Sequence, residues 1–122
     1  GATSAVTEAI PELKGKIDGI SLRVPVINGS ITDFVSLLKK EVTINKINNA
    51  FKKASKTNMK GILEYSEEPL VSTDIIGNPH SSIIDSLSTQ VVKGNLVKTV
   101  SWYDNEWGYS NRVLDLIKYI SK

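Results

Sequence analysis

Residues 101–112 gather side chains suited to holding a planar, amide-bearing ligand: Trp102, Tyr103, Trp107 and Tyr109, with Asp104, Asn105, Glu106, Asn111 and Arg112 among them. A stable core does not require that mixture at one place. Asn105 carries a carbonyl acceptor and an NH₂ donor pair, the complement of an amide ligand. Tyr103, Trp107 and Tyr109 offer flat faces for a ring to lie against. The plain alternative is an aromatic corner between a strand and a helix, of the kind that ordinary cores contain. Glu106 reads as structural, capping or orienting the turn, and Asp104 as doing the same.

Arg23 is the next candidate. It falls on the polar side of an alternating apolar run, and its planar fork of donors suits a phosphate. An exposed arginine paired with a carboxylate is the competing reading. His80 is the single histidine. With Ser81, Ser82 and Asp85 nearby it has the look of a triad fragment. Glu67 and Glu68 are adjacent in a predicted turn, where neighbours in an extended chain point apart, so they form no convergent acid pair and read as solvated. The absence of cysteine excludes disulfides, thiolate metal sites and thiol nucleophiles within these 122 residues. No metal site, P-loop or G-x-G-x-x-G pattern is expected.

The elements that must position these groups follow from periodicity. Ala2, Ala5, Val6, Ala9, Ile10 and Leu13 stand at helical spacing, with Pro11 distorting or ending the helix. Ile20, Leu22, Val24 and Val26 alternate with polar positions and predict a strand, with Pro25 at an edge, a bulge or its end. Asn28-Gly29 is a strong hairpin signal, so a second strand over about 31–38 is expected antiparallel to the first. Thr43 reads as the N-cap of an amphipathic helix whose apolar face holds Ile44, Ile47, Ala50, Phe51 and Ala54, with a solvated lysine face opposite. Strands are predicted over 62–65, 70–76, 82–87 and 96–103, with a further short one at 89–92, and a helix over about 108–121. Strands run together rather than alternating with helices. The fold class is therefore α+β, a mixed, mostly antiparallel sheet with helices on one face and a C-terminal helix.

Composition agrees with one soluble domain: 40% hydrophobic, 23% charged and a net charge of +2. That charge is too small to argue for nucleic acid or an anionic membrane as a partner. No apolar run approaches the ~18 residues of a membrane span. The opening Gly1-Ala2-Thr3 has no charged region followed by an apolar one, so no secretion signal is visible and a cytoplasmic location is expected.

Residues 101–113, SWYDNEWGYSNRV, strongly resemble the C-terminal signature of phosphorylating glyceraldehyde-3-phosphate dehydrogenases. Gly1-Ala2 with Ala5-Val6, Ile10-Pro11-Glu12-Leu13, Leu22-Arg23-Val24-Pro25, Lys60-Gly61-Ile62-Leu63, Val71-Ser72-Thr73-Asp74 and His80-Ser81-Ser82 resemble that family too, in order and at its spacing. The likeness covers essentially the whole chain but only the last third or so of such an enzyme.

The resemblance implies a part of the catalytic domain of a glycolytic oxidoreductase. That enzyme converts glyceraldehyde 3-phosphate, NAD and inorganic phosphate to 1,3-bisphosphoglycerate and NADH, by attack of a cysteine thiolate with a histidine as base. It implies that Arg23 binds substrate or inorganic phosphate and that Gly1 closes a phosphate-holding loop. It implies that Asn105 hydrogen-bonds the nicotinamide carboxamide and Tyr109 packs near the ring. His80 matches a structural histidine of the family rather than its base. The C-terminal helix would dock in a groove of a nucleotide-binding domain, and the whole enzyme would be a homotetramer. With neither the cysteine nor the base, and without the nucleotide-binding half, these residues alone are expected to be inactive and to bind NAD poorly. An erythrose-4-phosphate dehydrogenase with the same layout, a free-standing oligomerisation or binding module, and a hydrolase built on His80 are the other readings.

Overall fold

The computed structural model describes residues 2–122, with side chains from residue 5 onward. The order is helix α1 (Ala2–Ala9), a 3₁₀ turn (Pro11–Leu13), strand β1 (Ser30–Leu37), helix α2 (Ile44–Lys56) and strand β2 (Leu63–Ser66). A second 3₁₀ turn (Ser72–Ile75) follows, then strands β3 (Ser82–Val92) and β4 (Leu96–Tyr103) and helix α3 (Trp107–Ile120). The strands make one sheet in the order β1-β4-β3-β2. β1 with β4 and β4 with β3 are antiparallel, and β2 with β3 is parallel. The α+β class and the mixed, mostly antiparallel sheet are therefore as the sequence predicts. No helix among the described residues is long and apolar enough to cross a membrane.

Local chemistry explains most of these elements. Thr43 Oγ1 accepts from Lys46 N–H at 3.2 Å, the expected N-cap, and α2 lies against β2 and β3 with Ile47, Phe51 and Ala54 half-buried, while Ile44 and Ala50 of the predicted apolar face are exposed. Leu63, Ile75, Ile83, Ile84, Val97 and Val100 form the buried core, so the sheet is held chiefly through β2, β3 and β4. The predicted strands at 82–87 and 89–92 are one strand, β3, interrupted by a register shift between Asp85 and Gln90. Asp85 stabilises that irregularity: its Oδ1 accepts from the backbone of Leu87 and Ser88, and its Oδ2 from Ser88 Oγ at 2.9 Å.

Two expectations are corrected. Residues 70–76 hold a 3₁₀ turn instead of a strand, because Asp74 Oδ2 accepts from Val71 N–H at 2.8 Å and curls the backbone locally. This turn lies in the crossover that a parallel β2–β3 pair requires. The strand expected at 20–27 and its hairpin are also absent. Val26 N–H bonds back to Val24 C=O at 2.8 Å instead of joining a ladder, and Ile20 is 88% exposed. The second strand exists as β1, but it pairs with β4. The Asn28-Gly29 turn that was to close the hairpin is bonded to a different part of the chain.

Helix α1 packs against the 3₁₀ turn that follows it. The α3 residues Leu114, Leu116, Ile117 and Ile120 are exposed. The lysine face of α2 is not wholly solvated: Lys52 Nζ lies 2.9 Å from Glu67 Oε1 and 5.3 Å from the Tyr65 ring centroid.

Candidate functional site at the β4–α3 corner

The antiparallel register of β1 and β4 sets Ser30 opposite Tyr103, so the start of one strand lies beside the end of the other. That places Asn28-Gly29-Ser30 against Asp104-Asn105, at the carboxyl end of β4, the edge where α/β folds gather ligands. Gly29 has φ +96°, and a Cβ there would stand 2.8 Å from Ile75 Cδ1 of the core, so only glycine fits this approach.

Asp104 is the fixed point of the corner. It is 2% exposed. Its Oδ1 accepts from Glu106 N–H at 3.0 Å and Trp107 N–H at 2.8 Å, which satisfies free donors at the start of α3. Its Oδ2 accepts from Gly77 N–H at 2.8 Å, tying in the loop before β3. Burial pushes the carboxyl upward, but the hydrogen bonds from Trp107, Gly77, Asn28 and Glu106 to the ionised form outweigh it and hold the pKa down to about 2. The capping role expected of Glu106 and Asp104 together thus belongs to the Asp104 side chain, and Glu106 makes no side-chain cap bond.

Asn105 is tied differently. Its Oδ1 accepts from Gly29 N–H at 3.2 Å and from Ser30 Oγ at 3.2 Å. It lines a half-open cleft of about 320 Å³ with Ser81, Tyr103, Gly108, Tyr109 and Arg112. Tyr109 is 72% exposed, leaving a ring face free on the first turn of α3. Arg112 is committed elsewhere: it pairs with Asp115 at 2.7 Å and donates to Gly61 C=O and Ser81 Oγ. The helix can come this close because residue 108 is glycine; a Cβ there would sit 2.9 Å from the His80 carbonyl oxygen.

His80 is held in a structural knot. Its Nδ1 lies 2.9 Å from both Glu64 Oε2 and Asn78 Oδ1, two acceptors, so Nδ1 carries a proton. Asn78 Nδ2 donates to the same Glu64 oxygen at 2.9 Å. Nδ1–H held by a carboxylate is also how a triad histidine is oriented, but among the described residues no serine hydroxyl is hydrogen-bonded to Nε2, the nitrogen that would act as base.

The structure thus brings Asn105 and Tyr109 to one cleft. Arg23 lies outside it, exposed in the unladdered segment before β1, and Gly1 falls outside the described residues. Sequence reasoning did not single out Gly29 and Ser30 as site residues; their part depends on the β1–β4 register, which no local pattern encodes. The amide and the exposed ring are a donor set that fits the carboxamide and pyridine ring of a nicotinamide.

Comparison with known proteins gives a consistent result. Residues 1–105 match the family described as glyceraldehyde 3-phosphate dehydrogenase, C-terminal domain. The chain is 59% identical over 121 residues to a glyceraldehyde-3-phosphate dehydrogenase of Priestia megaterium, covering 99% of this chain and 36% of that protein. It is 57% identical over 122 residues to glyceraldehyde-3-phosphate dehydrogenase 1 of Bacillus subtilis, covering 100% and 36%. It is 56% identical over 121 residues to the enzyme of Geobacillus stearothermophilus, covering 99% and 36%. The chain therefore spans about a third of the length of these relatives.

Proposed function

The chain belongs to the glyceraldehyde 3-phosphate dehydrogenase C-terminal-domain family, and from that premise we propose that it is the C-terminal part of the catalytic domain of a phosphorylating, NAD-dependent glyceraldehyde-3-phosphate dehydrogenase. The observation that carries the reading is the Asn105 amide, fixed on the rim of a cleft beside the exposed Tyr109 ring. A bound nicotinamide would supply the hydride acceptor, and Asn105 and Tyr109 would hold it. The residues of this chain bind and orient: Asn105 meets the carboxamide, Tyr109 lies near the ring, Arg23 takes a substrate or inorganic phosphate, and Gly1 closes the phosphate loop.

In this reading the thiolate and the general base come from outside these 122 residues, which contain no cysteine, and the one histidine, His80, is structural, tying Asn78 to Glu64 through Nδ1. The nucleotide-binding domain likewise lies outside them. The exposed apolar stripe of α3 supports docking against that domain, and the enzyme is cytoplasmic and homotetrameric in this reading.

Steady-state kinetics of a dehydrogenase carrying these residues as its C-terminal part tests the assignment. Arg23→Ala removes charge-assisted bonds worth about 1.5–3 kcal/mol, so KM for glyceraldehyde 3-phosphate or phosphate rises about tenfold to a hundredfold. An unchanged KM for both would remove Arg23 from the site. The 122-residue polypeptide alone should form no NADH from glyceraldehyde 3-phosphate, NAD and phosphate.

A further inference from the structure

We propose that the Gly29–Ser30 turn is a positioning device that fixes which end of the Asn105 amide faces the ligand, so that the cleft reads an acceptor oxygen. The proposal rests on the cofactor reading above and goes beyond it by assigning the polarity of the contact and the residues that set it. A backbone N–H can only donate, so the atom of Asn105 that lies 3.2 Å from Gly29 N is the oxygen. The Ser30 hydroxyl adds a second donor to the same oxygen at 3.2 Å. With Oδ1 occupied twice, the Nδ2 group is the end on offer to the cleft, and it is donor-only. An asparagine free in solution could present either end; this one presents N–H.

The device is built into the fold. Gly29 is wedged against Ile75, which is 1% exposed, and Ser30 is held in the β1–β4 ladder opposite Tyr103. Asp104, next in the chain to Asn105, is pinned by Gly77, Glu106 and Trp107. Both sides of the Asn105 contact are thus fixed before any ligand arrives, which lowers the ordering cost of binding. Ser30 is a positioning residue, acting on the ligand through Asn105.

The consequence is a preference among dinucleotides that differ at one atom. A carboxamide oxygen is a good acceptor for Nδ2–H, whereas the sulfur of a thiocarboxamide is a weak one. The experiment is a fluorescence titration of the dehydrogenase carrying these residues with NAD and with thionicotinamide adenine dinucleotide, in wild type and in Ser30→Ala, Ser30→Thr, Asn105→Asp and Asn105→Ala. Loss of one neutral hydrogen bond predicts an NAD Kd about fivefold higher in Ser30→Ala, with the preference for the oxygen compound reduced by a similar factor. Ser30→Thr keeps the hydroxyl and restores both values to within about twofold. Asn105→Asp still accepts from Gly29 and Ser30 but offers no donor, so it should bind NAD at least as poorly as Asn105→Ala. If Asn105→Ala weakens NAD binding while Ser30→Ala matches wild type in affinity and preference, the positioning role is wrong and the cofactor reading stands. Asn105→Asp binding NAD as tightly as wild type would also overturn it. If Asn105→Ala binds NAD like wild type, the cofactor reading falls and the positioning role with it.

Discussion

The corner from β4 into α3 and the segment from residue 17 to 29 both carry strong sequence signals, yet only the first becomes what its pattern predicts. The difference is where the polar backbone groups find partners. At the corner, Asp104 alone answers three backbone donors, and β4 is laddered on both sides by β1 and β3. In the segment, Ile20, Leu22, Val24 and Val26 alternate as a strand should, but no ladder forms and their side chains are exposed. Alternation makes a segment competent to be a strand; an edge and a buried face make it one. The Asn28-Gly29 pair shows the competition directly. Asn28 bonds to Asp104 and Gly29 to Asn105, so the hairpin signal is absorbed by the corner.

The sharpest way to break this contrast is Asp104→Ala. It removes the buried acceptor shared by the partly buried backbone donors of Gly77, Glu106 and Trp107, and a stability loss of about 2–3 kcal/mol is expected in urea unfolding. The same carboxyl gives a pH signature. Its folded pKa is lowered from 3.8 to about 2, so its contribution is complete above about pH 4 and disappears as pH falls through about 2. Asp104→Asn should lack that part of the acid dependence, and an acid limb unchanged from wild type would show that other carboxylates set it.

Gly108→Ala comes next in size. Alanine is the better helix former by about 1 kcal/mol, yet its Cβ would lie 2.9 Å from the His80 carbonyl oxygen. The close approach wins, and a net loss of about 1–2 kcal/mol is expected from the forced backbone shift. A gain in stability would mean that α3 is free to move off the sheet. The smallest effect belongs to the segment. Leu22→Ser should change stability by no more than about 0.5 kcal/mol in the 122-residue chain, because the leucine is exposed and touches no core. A loss of several times that would show that this run is packed as a strand after all.

The parts of the fold legible in the sequence are those decided locally. Thr43 as a cap, the span of β4 and the amphipathic α2 follow from neighbours a few residues apart. The 3₁₀ turn at Ser72–Ile75 is not legible because Leu70 to Ile76 is apolar enough for a strand, while one bond from Val71 N–H to the Asp74 carboxylate curls it. At the site, Asn105 and Tyr109 were visible as residue types next to a strand end, and the structure sets them on one cleft. Ser30 was invisible because its role depends on pairing with Tyr103, 73 positions away in the chain. Asp104 was visible only as a turn acid; that it outweighs Glu106 follows from burial.

The most direct test of the account is a crystal structure of the dehydrogenase carrying these residues with NAD bound. The account predicts Asn105 Nδ2 about 3 Å from the carboxamide oxygen, with Oδ1 still accepting from Gly29 and Ser30. A carboxamide bound elsewhere, or an Asn105 that has left Gly29 to present its oxygen to the ligand, would contradict it.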